Sequence, residues 1–156
     1  MVVRRAEERD IPCLLKLLLQ VDMVHHEGRP DLFKGPATKY NEDELKDLLK
    51  DPKMHIFVCA NDRDEAVGHA FCIDKTVLGD NVLTEIKTLY IDDICVLEDY
   101  RRQGVGKALY DHVKSFAAEN GFYNMTLNVW CCNPPAVKFY ESLGMQKQKI
   151  GMETIL

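Results

Sequence analysis

The chain has no apolar run of the roughly 18 residues that a membrane-spanning helix needs, which excludes an ordinary helical membrane protein. It has no C-x-x-C. The six cysteines, Cys13, Cys59, Cys72, Cys95, Cys131 and Cys132, have no zinc-binding spacing, and the adjacent pair does not suit a disulfide. They read as buried thiols in a reducing cytoplasm, with no metal. His25-His26-Glu27 has no second cluster to complete a metal site. There is no excess of positive charge either. Twenty Lys+Arg stand against 25 Asp+Glu, a net charge of −5, which argues against a nucleic-acid binder. Glu7, Glu8 and Asp10 precede the first apolar stretch, where a secretory signal would be basic. Repeats and low-complexity segments are absent. What is left, 156 residues with 46% hydrophobic and 29% charged, reads as a single domain over 1–156.

Periodicity and breakers divide this domain into short elements. Val2–Arg4 reads as a strand. Asp10 reads as the N-cap of a helix carrying Leu14, Leu15, Leu18 and Val21 through about Met23. His25–Thr38 holds Gly28, Pro30, Gly35 and Pro36 and reads as a long loop. Asn41 and Glu44 set up a capping box for a helix through about Lys50. Strands follow at His55–Ala60, Ala66–Ile73 and Glu85–Val96. A helix runs from about Val105 to Gly121, a strand from Met125 to Trp130, and a helix from Pro134 or Pro135 to Leu143. Met145–Leu156 reads as a closing strand. The order is that of an α/β domain with a mixed sheet.

The chemistry-bearing stretch is Tyr90–Lys107, YIDDICVLEDYRRQGVGK. A strand feeds Arg101-Arg102-Gln103-Gly104-Val105-Gly106-Lys107, which opens a helix. The first N–H groups of a helix have no intrahelical partner, and the dipole there favours negative charge. Gly104 and Gly106 let backbone approach a ligand closely. Arg101, Arg102 and Lys107 add positive charge, so the corner is suited to a phosphate-bearing ligand. A P-loop is excluded, because Ala108 follows Lys107 and Arg101 stands five before Gly106. A dinucleotide fingerprint is excluded by Leu109, where a third small residue belongs.

The pattern that fits is R-x-x-G-x-G, met by Arg101, Gly104 and Gly106. It resembles the pyrophosphate motif of the GNAT superfamily of acetyl-CoA-dependent N-acetyltransferases. A second segment, Asn133-Pro-Pro-Ala136-Val-Lys-Phe139-Tyr140-Glu-Ser-Leu-Gly144-Met145, resembles that family's N-x-x-[AS]-x-x-[FL]-Y-x-x-x-G-[FM]. The order of elements is similar to the family's over nearly the whole chain, although the first third matches by pattern only. Arg102 and Gln103 depart from relatives that often carry Gly and a basic residue. The resemblance implies a GNAT-like α/β fold: a mixed, largely antiparallel central sheet flanked by helices. It also implies a splayed strand pair that receives acetyl-CoA. Ile94, Cys95 and Val96 would pair with the pantetheine arm. Arg101, Arg102, Gln103, Gly104, Val105, Gly106 and Lys107 would wrap the pyrophosphate. Asn133 would contact the cofactor, cap the following helix, or do both.

The implied reaction is direct acetyl transfer from acetyl-CoA to a primary amine. Tyr140 is the expected acid for the leaving thiolate. Asp92 and Asp93 are the candidate bases; adjacent residues of a strand face opposite sides, and the sequence does not choose between them. Cys95 as an acyl carrier is disfavoured, since no His is spaced to activate it. The stretch around Asp92-Asp93 resembles spermidine/spermine acetyltransferases and, with the net acidity, suits a small cationic amine such as a polyamine. A peptide or protein amine stands as the alternative acceptor, and a non-catalytic acetyl-CoA sensor as the alternative to an enzyme. The resemblance also implies a homodimer, formed around Ile150–Leu156.

Overall fold

Apolar runs at HIFVCA and AVGHAFC form the middle of a single five-stranded sheet. In the computed structural model, which describes all 156 residues, the strands are β1 (Val2–Arg5), β2 (Met54–Ala60), β3 (Ala66–Thr76), β4 (Lys87–Val96) and β5 (Asn124–Leu127). They lie in the order β1-β2-β3-β4-β5. The first four are antiparallel neighbours, and β5 joins β4 in parallel. The helices are α1 (Ile11–Gly28), α2 (Glu42–Lys50), α3 (Val105–Glu119) and α4 (Pro134–Ser142). This is the mixed, largely antiparallel α/β sheet flanked by helices expected from the sequence.

Alternation along β2 loads both faces of the sheet. Met54, Ile56 and Val58 pack with Ile11, Leu14 and Leu18 of α1 and Leu45 of α2. Phe57 and Cys59 pack with Val105, Leu109, Tyr110 and Val113 of α3. Gly68 lets α3 settle on β3, because a Cβ there would come within 3.0 Å of Val105 Cγ1 and 3.1 Å of the Cys95 carbonyl. Asn41 and Glu44 form the expected capping box of α2, with Asn41 Oδ1 accepting from Glu44 N at 2.8 Å.

Four expectations are corrected. The first helix runs on to Gly28 rather than ending near Met23, and Arg29 N–H donates to the His25 carbonyl to close it. Asp10 stands at the N-cap, but its side chain does not cap. Both carboxylate oxygens are taken by Arg4, at 2.8 and 3.0 Å, and Oδ2 also accepts from Glu7 N. The fifth strand stops at Leu127, not Trp130. Met145–Leu156 is no strand: the backbone of Gln146–Leu156 makes no hydrogen bond with the rest of the chain, and Ile150, Met152 and Ile155 are exposed. The thiols also divide. Cys59, Cys72 and Cys95 are buried, Cys13 and Cys132 are half-buried, and Cys131 is exposed; none is bridged.

Candidate active site

The pairing of β4 with β5 covers only Thr88–Ile91 against Asn124–Leu127. Beyond Ile91, β4 continues to Val96 with β3 on one side and no strand on the other. The sheet therefore opens at Asp92, and Asp92, Asp93, Ile94, Cys95 and Val96 line a bare strand edge. Gln20 of α1 ties down the end of this edge. Its Nε2 donates to the Val96 carbonyl at 2.8 Å, and its Oε1 accepts from Glu98 N at 3.2 Å.

The glycine corner follows at once. Arg102 has φ +59° and Gly104 φ +82°, so the chain turns through the left-handed region twice before α3 begins. Nothing would lie within 4 Å of a Cβ at Gly104, so the space above it is open. The N–H groups of Arg102, Gln103, Gly104, Val105, Gly106 and Lys107 donate to no protein acceptor, and the first turn of α3 carries no acidic residue. Such a row of free N–H groups at a helix N-terminus fits a diphosphate. Gly106 is needed for a close approach, since a Cβ would meet Phe139 Cζ at 3.2 Å. Arg101 Nε reaches the Val96 carbonyl at 3.4 Å, Lys107 pairs with Asp111 on its own helix at 2.5 Å, and Val105 turns its side chain into the core. Asn133 caps α4, with Oδ1 accepting from Ala136 N at 3.4 Å.

The two carboxylates sit where the β3–β4 register breaks. Phe71 faces Asp93 and Cys72 faces Ile91, which leaves Asp92 without a cross-strand neighbour. The acids are partnered differently. Asp92 Oδ2 accepts from Lys39 Nζ at 2.6 Å, from the loop before α2. Asp93 Oδ2 lies 2.5 Å from Nε2 of His69, which is fully buried on β3.

Tyr140 of α4 reaches the same place. Burial, and then the negative charge of Asp93 and the nearby Cys95 and Cys72 thiols, raise its phenol well above the ordinary range. The phenol is thus a standing hydrogen-bond donor. Burial, and then Asp93, push the Cys95 thiol up to about 12. Its Sγ is 3.6 Å from the Leu17 carbonyl of α1 and accepts from Gln20 Nε2 at 3.3 Å. A protonated, covered thiol is a poor nucleophile. Phe33 packs between His25, tilted at 4.9 Å between centroids, and Trp130, edge-on at 5.2 Å, while His26 Nδ1 lies 2.7 Å from the Phe33 carbonyl. Arg29 pairs there with Asp31 and with Glu153 of the C-terminal segment.

Asp93, Cys95 and Tyr140 are thus brought together, with Asp92 next to them on β4, and the Ile94–Val96 edge leads into the corner. Three residues were missed from the sequence: His69, Lys39 and Gln20. His69 sits inside a run that reads as plain core strand, and Lys39 lies in a loop of mixed charge. Only the fold brings them to the acids.

The family model described as Acetyltransferase (GNAT) family matches residues 21–145. A probable N-acetyltransferase, san, of Drosophila melanogaster is 30% identical over 109 residues, which are 69% of this chain and 54% of the relative. The [ribosomal protein bS18]-alanine N-acetyltransferase of Escherichia coli is 36% identical over 81 residues, 52% of this chain and 49% of the relative. The chain spans about half the length of these curated relatives. A crystal structure of a mutant Bacillus halodurans protein is 27% identical and superposes with a TM-score of 0.95, covering 100% of this chain and 99% of that one.

Proposed function

Since the chain belongs to the GNAT acetyltransferase family, we propose that its 156 residues act as one catalytic domain that transfers an acetyl group from acetyl-CoA to a small cationic amine. One observation carries the choice of acceptor. The carboxylate at the opening of the sheet already holds an alkylammonium, that of Lys39, on a side chain more than half exposed. An acceptor ammonium with an extended aliphatic stem, as in a polyamine, fits that place.

Acetyl-CoA supplies the activated acetyl group. The free N–H groups from Arg102 to Lys107 would hold its diphosphate, with the Arg101 and Arg102 side chains adding charge. The bare edge at Ile94, Cys95 and Val96 would pair with its amide-bearing arm. Asn133 contributes by fixing the start of α4. Asp92 receives the acceptor ammonium. Asp93, either directly or through a water, would take one proton from the ammonium, and the free amine would then attack the thioester carbon to form the C–N bond. The C–S bond breaks, and Tyr140 donates to the sulfur that leaves as CoA thiol. The second nitrogen proton would replace the one that Tyr140 gave to sulfur, and the proton held by Asp93 would return to solvent. In sum, an ammonium and a thioester give an amide, a thiol and one proton.

The alternative acceptor is a peptide or protein amine, favoured by the Escherichia coli relative, whose name gives a ribosomal-protein alanine as its target. The ratio of kcat/KM for a polyamine to that for peptides with free N-termini decides. A higher value for the polyamine supports the small-amine reading, and a higher value for the peptides replaces it.

The assembly proposed is a homodimer. β5 has a neighbour on one side only, and the Gln146–Leu156 backbone is wholly unpaired. These are complementary on two copies of the same chain. Sedimentation should show a dimer for the full chain and a monomer for a chain ended after Met145. A full chain that sediments as a monomer removes this part. The six unbridged cysteines support a reducing, cytoplasmic setting.

A further inference from the structure

His69 lies under α1 in the middle of β3 and is fully buried. Phe71 packs edge-on against its ring, with centroids 4.8 Å apart, and Cys95 is its cross-strand neighbour. Its Nε2 reaches diagonally to Asp93 Oδ2 at 2.5 Å, while its Nδ1 is buried and has no partner. An apolar residue would fill this space without an orphaned nitrogen, and buried polar atoms are ordinarily paired. What the imidazole offers in return is its hydrogen bond to Asp93. The tautomer that fits carries its proton on Nε2, because a proton on Nδ1 would point at no acceptor. Asp93 Oδ1 is left with no protein partner, and the carboxylate is 18% exposed.

We propose that His69 is a positioning residue for acetyl transfer: its Nε2–H clamps Asp93 Oδ2, so that Oδ1 alone is presented to the acceptor amine. This rests on the acetyl-transfer reading above. It also divides the two acids. Asp92 has a counter-ion on an exposed stem that a substrate can replace, whereas Asp93 has a fully buried partner that no substrate reaches. A carboxylate on a bare strand edge has two free side-chain torsions, and catalysis needs one orientation. A proton acceptor that swings loses rate without losing affinity, so the expected signature lies in kcat.

The test compares His69→Leu, which keeps the bulk without the donor, with His69→Gln, which keeps a donor. His69→Leu should lower kcat about tenfold or more, with KM for acetyl-CoA within about twofold of wild type. His69→Gln should recover most of the loss. In an Asp93→Asn background, His69→Leu should add less than about twofold. Nitrogen-15 spectra of the wild type should show the Nε2–H tautomer of His69, with a proton resonance far downfield that is absent from Asp93→Asn. If His69→Leu does not fold, His69→Gln and the spectrum still decide, since an Nδ1–H tautomer overturns the clamp. Unchanged kcat in a folded His69→Leu overturns it, as does an equal loss in both backgrounds. A wild type that acetylates no amine, yet shows the downfield resonance, overturns the acetyl-transfer reading and leaves the pair as a structural contact.

Discussion

Lys39 Nζ lies 2.6 Å from Asp92 Oδ2, with the lysine more than half exposed and the carboxylate 12% exposed. Burial acts to lower the lysine, but the hydrogen bond and charge of Asp92 outweigh it, so Lys39 stays charged at working pH. An acceptor ammonium must displace it. A pair of this kind is worth about 0–1 kcal/mol. Lys39→Met should therefore lower KM for a cationic amine by roughly two- to fivefold and leave kcat nearly unchanged. Initial rates at low salt measure this. A rise in KM would mean that Lys39 helps to bind the acceptor.

The two acids should separate in kinetics. Asp92→Asn removes the ammonium's partner and should raise KM for the amine by about tenfold or more. Asp93→Asn removes the proton acceptor and should lower kcat by about 100-fold, within the usual range for a general base. Steady-state kinetics on one amine across a range of concentrations reads both. Equal effects of the two changes on the same constant would end the division of labour.

Tyr140→Phe removes a donor and little else. It should cut kcat by about 10- to 100-fold, with CoA affinity unchanged by calorimetry. Because burial and Asp93 raise the phenol above its ordinary range, the wild type should show no alkaline loss of rate from this group below about pH 10. A variant with full kcat at every pH would remove Tyr140 from the mechanism.

Gly104, at φ +82° with open space above it, is where the corner demands glycine. Gly104→Ala should cost about 1–2 kcal/mol of stability from left-handed strain, a fall in Tm of roughly 2–8 °C. Any relaxation of the turn should also weaken CoA binding. A thermal melt and a calorimetric titration of the same variant report both effects.

Stability should fall at both ends of the pH range. Burial, followed by the charges of Asp92 and Asp93 respectively, pushes Cys72 and Cys95 up to about 12 from an ordinary value of 9.0. Below about pH 9 folded and unfolded chains both keep these protons. Between about 9 and 12 only the folded chain does, so stability is lost as pH rises. His55 and His112 are lowered from 6.5, chiefly by burial, so the unfolded chain takes up protons first and stability is lost as pH falls through that region. Urea denaturation under reducing conditions should give a dome. Cys95→Val should flatten its alkaline side.

The fold was legible where local chemistry decides it. Asn41 with Glu44 announces α2, and Arg101, Gly104 and Gly106 announce the turn into α3. The apolar run HIFVCA announces β2 as a strand, though which of its residues load which face appears only in the fold. The failures share a different cause. Met145–Leu156 has strand-like composition, but a strand needs a neighbour, and β5 is only four residues long. Asp10 looks like a cap until Arg4, brought alongside by β1, takes its side chain. His69 looks like any core position of an apolar strand. Its partner Asp93 lies 24 residues away and is reached only across a register break. Sequence spacing carries capping, turns and periodicity, but not the diagonal contacts that pairing creates.

The most direct measurement is chromatographic: CoA released and acetylated amine formed when the purified chain meets acetyl-CoA and a polyamine. The two products should form in equal amounts, and both should be lost in Asp93→Asn. CoA binding with no acetylated product from polyamines, peptides or amino sugars would contradict this and leave a domain that binds acetyl-CoA without transferring its acetyl group.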